Sequence, residues 1–352
     1  MSSLPLPTER QAWRRTDDFS PGAARLKLVT EPLPEVLSPT SVLIKVHAVS
    51  LNWRDANITN GGNPWPVISN GIICNDCAGE VRADGKNVRS IKIGDRVGVT
   101  NDTEYLTERS TGRSWVAANE DGVLANYIVY DEAVLGRLPT YLPWEHAATI
   151  ACAGVTAWSS LRDVEMGQTV LIQGTGGVSC WAMKLARASG LKVILTSSSD
   201  DKLKQMQKVF GTPTIQTINY KTTPDWHDEV LKLTNGVGVD LVIDNGGASS
   251  IVRSIKCTRR GGTVSQVGYL GAGKQVPDDL HELVPTIIDR RVTIRGINCG
   301  PPEYMDNLSA ALEATNMQLD DIIDKVYPFS EAEEAVQSLW EGKVVGKIVL
   351  RL

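Results

Sequence analysis

The stretch Val170-Leu171-Ile172-Gln173-Gly174-Thr175-Gly176-Gly177-Val178-Ser179 decides the fold of this chain. A short apolar run leads into three closely spaced glycines, and the apolar spacing of residues 181–186 then predicts a helix. Backbone N–H groups and the positive end of the helix dipole favour a phosphate at such a turn, where glycine leaves room for it. Ser179 replaces the third glycine of the usual dinucleotide-binding pattern, so the surrounding sequence has to support this assignment.

Strands and helices alternate after this turn. The pattern predicts strands at 169–173, 192–196, 215–218, 239–243, 263–267 and 292–297, and helices at 177–189, 200–209, 224–234 and 248–257. Apolar, β-branched strands in this alternation predict an α/β fold with a doubly wound parallel sheet. The first 140 residues instead predict mostly β-structure that starts with a hairpin, followed by a helix over 144–161. We also expect helices over 303–315 and 330–341, and a last strand over 347–350 that returns to the first domain.

The composition excludes several classes of protein. The chain has 352 residues with 42% hydrophobic and 22% charged residues, which is ordinary for a globular protein with room for two cores. A net charge of −5 argues against a nucleic-acid partner. No apolar run is long enough for a membrane span, and the start lacks the features of a signal peptide, so we expect a cytoplasmic protein. The six cysteines are scattered and do not predict a disulfide framework.

The residues after the second predicted strand of this sheet indicate the cofactor. An acidic residue there accepts hydrogen bonds from the adenine ribose of NAD, but this chain has Ser197. A carboxylate about 4 Å from a 2′-phosphate would cost on the order of 4 kcal/mol at an effective dielectric constant near 20. Because Ser197 and Lys202 supply donors instead, the sequence predicts NADPH. The alternative is a solvated loop in which Ser199 or Asp200 caps the next helix.

Short sequence segments that are characteristic of one protein family occur in order over nearly the whole chain. Besides the glycine turn, they are residues 49–55, 75–81, 93–97, 152–158, 219–220, 238–240, 246–247, 261–262 and 346–349. With these segments the chain resembles the medium-chain dehydrogenase/reductase superfamily, in its zinc-free quinone-oxidoreductase and enoyl-reductase branch and in particular its fungal members. The resemblance implies a GroES-like β-barrel domain over 1–141 and 298–352, and a Rossmann NADP-binding domain over 142–297.

The resemblance also implies which residues contact the cofactor. Thr156 would contact the nicotinamide carboxamide or pack at a helix start, and Lys347 would reach the cofactor phosphates or be a solvated strand residue. The full set of expected NADPH-binding residues is Thr156, Gly174, Thr175, Gly176, Gly177, Val178, Ser197, Ser198, Lys202, Tyr220, Gly246, Gly268, Tyr269 and Lys347.

The positions of the zinc ligands in related zinc enzymes are occupied by other residues here. They hold Asn52, Asn75 and Cys152, and no cysteine lies near residues 100–120, where the structural zinc lobe would fall. Two amides and one thiolate do not make a zinc site, so we expect no metal. The pair Cys74 and Cys77 is either a redox or metal-binding pair or, as we favour, two small buried residues. The histidines are expected to be structural: His47, His146, His227 and His281.

The expected reaction is hydride transfer from NADPH to an activated C=C bond or a quinone, with donors that stabilise the developing negative charge. The candidate catalytic residues are Asn52, Trp53, Arg54 and Asp55, although Asp55 equally suits a turn cap. Loop 57–65 lacks the proton-donating tyrosine of many enoyl reductases, which leaves Tyr105, Tyr127 and Tyr141 as distant alternatives.

The substrate is expected to be an enone, a quinone or a secondary-metabolite intermediate. Alternatives are reduction of C=O or C=N, a non-redox step in a natural-product pathway, or a non-catalytic NADPH-binding protein. Residues 291–295 suggest an edge strand that would pair in a homodimer.

Overall fold

The computed structural model describes residues 6–211, 214–269 and 278–352. In chain order, the strands are β1 (Glu9–Arg15), β2 (Leu26–Pro32), β3 (Ser41–Ser50), β4 (Cys77–Asp84), β5 (Arg96–Val99), β6 (Tyr127–Asp131), β7 (Leu135–Arg137), β8 (Thr169–Gln173), β9 (Lys192–Ser197), β10 (Gln216–Asn219), β11 (Val239–Asp244), β12 (Thr258–Gln266), β13 (Thr293–Gly296), β14 (Ile323–Pro328) and β15 (Lys347–Arg351). The helices are α1 (Trp53–Thr59), α2 (Trp144–Ala147), α3 (Val155–Ser160), α4 (Gly177–Ala188), α5 (Asp200–Phe210), α6 (Trp226–Leu233), α7 (Ile251–Cys257), α8 (Leu283–Arg290), α9 (Pro302–Thr315) and α10 (Ala332–Trp340).

The chain divides into two compact units. Unit 1 comprises Met1–Val155 and Cys299–Leu352, and unit 2 comprises Thr156–Asn298. The second division lies one residue from the sequence-based boundary, but the first lies later than residue 141. The reason is that the segment around α2 packs on the strands of unit 1: Trp144 stacks on His47 of β3 with ring centroids 4.2 Å apart.

Unit 1 is built mainly from antiparallel strands. The predicted early hairpin forms from β1 and β2, and the Trp13 indole donates a hydrogen bond to the Phe329 carbonyl at 2.8 Å. The main sheet has the order β14-β15-β3-β4-β5-β7, with β6 also paired to β3. The last strand, β15, lies beside β3 in unit 1, as its sequence predicts. The apolar side chains of β3 lie in the core, and the strand has hydrogen-bonded neighbours on both edges.

Two segments of unit 1 depart from the sequence-based expectation. The predicted helix over 144–161 is interrupted by a π-helical turn, Ile150–Gly154, which lies between α2 and α3. The strand β14 was not predicted, because its charged residues hide the apolar alternation of an edge strand. No helix in the described ranges is long and apolar enough to cross a membrane.

Unit 2 has a six-stranded parallel sheet in the order β10-β9-β8-β11-β12-β13. The predicted doubly wound sheet is therefore confirmed. The strand order reverses between β8 and β11, and in such sheets ligands bind at the carboxyl ends of the strands at this reversal. The helix α8 was not predicted, because Pro285 and the exposed apolar residues Val284 and Ile288 obscure the helical pattern.

Candidate active site

The glycine turn of unit 2 joins β8 to α4 as the sequence predicts. Gly174 has a positive φ of 82°, and its N–H donates to the Thr196 carbonyl at 2.7 Å. The helix begins at Gly177, with Gly176 as its N-cap. Ser179 is buried, and its hydroxyl donates to the Gln173 carbonyl at 2.8 Å. This hydrogen bond ties the start of the helix to the end of the strand and explains how a serine replaces the third glycine.

The same turn has the space that a dinucleotide diphosphate needs. A Cβ atom added to Gly176 would meet no other atom within 4 Å, although the residue lies directly before the N–H groups of a 12-residue helix. The unpaired N–H groups and the helix dipole at this end favour an anion. The residues here therefore fit the diphosphate of a nicotinamide dinucleotide, with the backbone of Gly176, Gly177 and Val178 around it.

A cavity of about 440 Å³ in unit 2 lies at the carboxyl ends of β8, β9, β10 and β11. Three predicted cofactor-binding residues line it, namely Gly174, Tyr220 and Gly246. Sequence reasoning missed its other lining residues, none of which is acidic: Gln173, Thr196, Pro224, Trp226, Asn245, Ser249, Ser250 and Arg253. The Asn-Gly-Gly run directly after β11 was the available signal for Asn245.

The turn after β11 is held by a buried carboxylate. Asp244 accepts hydrogen bonds from the N–H groups of Gly246 and Gly247 at 3.0 and 2.9 Å. Gly268 and Tyr269 pack close to this turn, because a Cβ on Gly247 would lie 2.8 Å from the Tyr269 Cα. In the structure, Gly268 and Tyr269 therefore pack against the turn after β11. Their contact with a cofactor stays a prediction.

The hydroxyl-rich segment after β9 has the capping role given above as an alternative. Ser199 is the N-cap of α5 and accepts from the Lys202 N–H at 3.4 Å, and Ser197 accepts from the Ser199 N–H at 3.4 Å. Neither Ser197 nor Lys202 is among the residues that line the cavity. The assignment of Ser197, Ser198 and Lys202 to the cofactor stays a prediction, as does that of buried Thr156 at the start of α3.

Unit 1 brings together the three residues that replace the zinc ligands. Asn52 lies directly before α1, Asn75 precedes β4, and Cys152 lies in the π-helical turn. The Asn52 amide donates to the Asn75 carbonyl oxygen at 3.1 Å, and the Asn75 amide reaches the Cys152 sulfur at 3.4 Å. Residues that are far apart in the sequence thus form one hydrogen-bonded group, which we call the asparagine cluster (Asn52, Asn75, Asp76, Cys152 and Lys347).

The remaining members of the asparagine cluster form a buried ion pair. The Lys347 ammonium donates to Asn52 Oδ1 at 2.6 Å and lies 3.3 Å from Asp76 Oδ2, and the two side chains are only 2% and 0% exposed. The other oxygen of Asp76 accepts from the Cys152 N–H at 3.0 Å. Burial raises the pKa of Asp76, and the neighbouring ammonium opposes this shift. The alternative that Lys347 is a solvated strand residue is therefore wrong, and sequence reasoning missed Asp76.

The donor set of the asparagine cluster does not fit a catalytic zinc ion. Asn52 and Asn75 offer amides, and an ammonium group 2.6 Å from Asn52 Oδ1 would repel a cation. In the described part of the chain, no three His, Cys, Asp or Glu side chains are grouped so that they could hold a metal ion.

The predicted catalytic residues beside Asn52 have different roles. Asp55 is buried and accepts from the Asn52 N–H at 2.7 Å, so it caps the start of α1 as the structural alternative predicts. Burial raises the pKa of Asp55 to about 6. Trp53 stacks on Trp340 with ring centroids 5.3 Å apart. Arg54 donates to Asn101 Oδ1 at 2.9 Å and to the Val116 carbonyl at 2.8 Å.

The cysteines of unit 1 differ in the direction in which their surroundings shift the thiol pKa. Cys74 and Cys77 are buried and not disulfide-bonded, and burial raises the pKa of Cys77 to about 12, which agrees with the structural interpretation. By contrast, a hydrogen bond from the Cys299 thiol lowers the pKa of Cys152. Among the tyrosines considered as proton donors, Tyr105 bonds to Glu108 and Tyr141 to backbone carbonyls.

Comparisons with known proteins identify the family. Residues 38–140 match the alcohol dehydrogenase GroES-like domain, and residues 177–314 match the zinc-binding dehydrogenase family. A zinc-type alcohol dehydrogenase-like protein of Schizosaccharomyces pombe is 36% identical over 344 residues, which cover 96% of this chain and 97% of that protein.

Two solved structures extend this similarity. An NAD-dependent alcohol dehydrogenase superposes with a TM-score of 0.82 at 29% identity, over 97% of this chain and 99% of the other. The quinone oxidoreductase of Coxiella burnetii superposes with a TM-score of 0.74 at 27% identity, over 98% and 99%. These matches confirm the GroES-like domain and the Rossmann-type sheet, and the chain belongs to the medium-chain dehydrogenase/reductase family of oxidoreductases.

Proposed function

We propose that this protein is a zinc-independent, NADPH-dependent reductase of activated C=C bonds or quinones. The observation that carries the proposal is the asparagine cluster, in which amides, a thiol and an ammonium group are bonded to one another at the positions of zinc ligands. Such a group supplies hydrogen-bond donors to a substrate oxygen where a metal ion would otherwise polarise it. The similarity to a quinone oxidoreductase supports the same reaction class.

Asn52 is the residue that we assign to the substrate oxygen. Its amide nitrogen reaches Asn75 at 3.1 Å and Asp76 at 3.3 Å, both longer than the usual 2.9–3.0 Å of such bonds. A carbonyl oxygen that gains negative charge would therefore compete well for one of these protons. Lys347 holds the other end of the Asn52 amide and places a positive charge beside it. The ion pair with Asp76 keeps this ammonium in place.

NADPH, when bound, supplies the hydride to the β-carbon of the substrate. The hydroxyls of two candidate proton donors, Tyr105 and Tyr141, bond elsewhere. The third candidate, Tyr127, lies in β6 opposite Lys45 of β3. Water and Tyr127 are therefore the two candidates for the proton that completes the reaction.

The preference for NADPH over NADH is supported by the charges around the cavity of unit 2. Its lining includes Arg253 and no acidic residue, and no carboxylate ends β9, where Ser197 stands. A 2′-phosphate bound in this cavity would therefore meet the Arg253 guanidinium and no carboxylate of the lining, while Asp200 and Asp201 lie further on, in the first turn of α5. The NAD-dependent alcohol dehydrogenase with a similar fold makes NADH the direct alternative.

The decisive experiment mixes the protein with NADPH or NADH and a panel of enones and quinones, and follows absorbance at the nicotinamide band. We expect oxidation of NADPH with at least one acceptor, at a rate that a zinc chelator does not change. Stoichiometric zinc, with activity lost on chelation, would overturn the proposal in favour of a zinc alcohol dehydrogenase. Tight NADPH binding without turnover on any acceptor would indicate a non-catalytic binding protein.

A further inference from the structure

Two arginines flank Trp115 on the loop between β5 and β6 of unit 1. The Arg54 guanidinium carbon lies 5.9 Å from the centre of the Trp115 ring, and that of Arg113 lies 4.6 Å from it. Arg54 is also joined to the asparagine cluster, because Asn101 Oδ1 accepts from both the Arg54 guanidinium and the Asn75 amide. Arg54 is thus one hydrogen-bonded residue away from the group that we assign to the substrate oxygen, and Arg113 lies beside the same Trp115 ring as Arg54.

Among the described residues neither arginine forms an ion pair within 4.0 Å, although the charge of Arg54 acts on the neighbouring buried carboxylate of Asp55. Two acidic residues of the same loop are held by other groups: Asp102 accepts from the N–H groups of Glu104 and Ser114, and Glu120 accepts from the hydroxyls of Thr103 and Ser114. The carboxylate of a third, Glu104, lies against Gly112, directly before Arg113 in the chain. The Arg54 guanidinium bonds only to neutral oxygens, and it does so through one of its terminal nitrogens. A half-buried guanidinium with unused N–H groups is suited to bind an anion through paired hydrogen bonds.

An aromatic surface accompanies this charge. Trp65 packs edge-on against Trp115 with ring centroids 5.1 Å apart, and it is 38% exposed. The indole nitrogen of Trp115 is buried without a hydrogen-bond partner among the described residues. An exposed indole such as that of Trp65, packed on a half-buried one beside a polar site, favours a flat, apolar ligand, because stacking and burial of such a ligand stabilise the complex.

We infer that the substrate of this enzyme is a flat conjugated compound that carries a carboxylate, which Arg54 and Arg113 bind while Trp65 and Trp115 hold the conjugated body. The inference rests on the proposed function in one respect, that this compound is the one reduced at the asparagine cluster. The conjugated part of the substrate is an enone or a quinone. The two arginines make the enzyme prefer those enones or quinones that carry a carboxylate.

The test compares two matched acceptors, 4-phenylbut-3-en-2-one and its derivative with a carboxylate on the ring. We expect kcat/KM to be about tenfold higher for the carboxylate, mainly through KM, because the charged hydrogen bonds add to binding. The ratio of the two kcat/KM values should fall to about one in Arg54→Gln and in Arg113→Gln, and only partly in Arg54→Lys, which keeps the charge without the paired geometry. Arg109→Gln, an exposed arginine of the same loop, should keep the ratio.

A non-reducible ligand separates the inference from the proposed function. 4-Butylbenzoate has the ring and its carboxylate without the reactive C=C bond, and its binding is measured by calorimetry. Binding to the native protein that is lost in Arg113→Gln supports the inference even when no acceptor is reduced. A kcat/KM ratio of about one in the native protein would overturn the inference, because the arginines would then bind no carboxylate. A loss of NADPH affinity in Arg54→Gln with an unchanged ratio would also overturn it, because the arginine would then serve the cofactor.

Discussion

The glycine turn of unit 2 and the asparagine cluster of unit 1 both present hydrogen-bond donors, but they are built in opposite ways. The turn consists of consecutive residues, and its donors are backbone N–H groups at the start of α4. The cluster consists of side chains from residues 52, 75, 76, 152 and 347, which bond to one another. The comparison teaches that the turn depends on the absence of side chains, whereas the cluster depends on the identity of each one.

The two regions also differ in charge. The donors of the turn are neutral amides, so binding an anion there removes no existing ion pair. The cluster contains a buried ammonium and a buried carboxylate, and each stabilises the other in surroundings that exclude water. We therefore expect substitutions in the cluster to affect folding and substitutions in the turn to affect only binding.

The strongest test of this difference is Lys347→Met, which leaves the Asp76 carboxylate buried without its counter-charge. We expect a loss of about 3–5 kcal/mol in the free energy of unfolding, measured from the shift of the thermal unfolding midpoint. Asp76→Asn in the same chain should restore part of the loss, because no unpaired charge then remains. Lys343→Met removes an exposed lysine near the same end and should change the midpoint little. If Lys343→Met lowered the unfolding midpoint as much as Lys347→Met does, the ion pair would not be the cause of the loss.

The matching test in unit 2 is Gly176→Val, which we expect to abolish cofactor binding while the protein stays folded. The residue has a φ of −84° that valine tolerates, and an added Cβ meets no atom within 4 Å. The side chain would instead fill the space of the diphosphate and weaken NADPH binding at least about 100-fold, or about 2.7 kcal/mol. Fluorescence titration with NADPH measures this change. Gly296→Val has equally open space and serves as the control, and native-like NADPH affinity in Gly176→Val would show that the diphosphate binds elsewhere.

A pH series sharpens the comparison on the side of unit 1. The pKa of Asp55 is raised from 3.8 to about 6 in the folded protein, so the folded state binds this proton more tightly than the unfolded state does. Protonated Asp55 therefore stabilises the folded protein relative to the charged form. This contribution to the free energy of unfolding is complete below about pH 4, is lost as the pH rises through 6, and amounts to about 3 kcal/mol in total. Asp55→Asn should remove the part of the slope that comes from Asp55, since an amide oxygen still accepts from the Asn52 N–H. The part that comes from Asp76, whose pKa is also raised by burial, should remain.

Chemical unfolding from pH 4 to pH 8 measures the slope for Asp55→Asn and the native protein. The control is Asp84→Asn, which changes an exposed carboxylate at the end of β4 and should keep the native slope. An unchanged slope in Asp55→Asn would mean that Asp55 is not the titrating group.

The smallest expected effect concerns Lys202, at the start of α5 in unit 2. If it neutralises the 2′-phosphate from a solvated position, Lys202→Ala should weaken NADPH binding about fivefold and leave NADH binding unchanged, and the difference should shrink in high salt. Lys204→Ala removes an exposed lysine of the same helix and is the control. Equal losses for NADPH and NADH would show that Lys202 does not distinguish the two cofactors.

Much of the fold was predictable because its signals are local. The β-branched run over 41–50 is β3, and the alternation after residue 168 gives the parallel sheet of unit 2. The segments that were missed lack a local signal: α8 contains a proline, and β14 carries charged residues at the edge of its sheet. The compact units divide after Val155 rather than at residue 141, because the α2 segment packs on β3, and this packing is a tertiary contact.

The residues of the candidate site also separate into those with a local sequence signal and those that only tertiary contacts bring to the site. The glycine pattern indicated Gly174, and the resemblance indicated Tyr220 and Gly246. These three residues line one cavity, since the ends of adjacent parallel strands meet at one edge of a sheet. The resemblance indicated that Asn52, Asn75 and Cys152 belong together, but not that Asp76 and Lys347 join them. The lining residues Arg253 and Trp226 lie on helices whose faces the sequence does not orient toward the strand ends.

The sequence by itself determined the glycine turn, the parallel sheet and the family, because each depends on backbone conformation and on apolar patterns that neighbouring residues specify. Only the tertiary structure decided that Lys347 is buried against Asp76 rather than solvated, and that Asp55 is a cap. It also decided that Arg54 reaches both Trp115 and the asparagine cluster. These outcomes depend on charge and burial, and burial is set by residues that are distant in the chain and meet only when it folds.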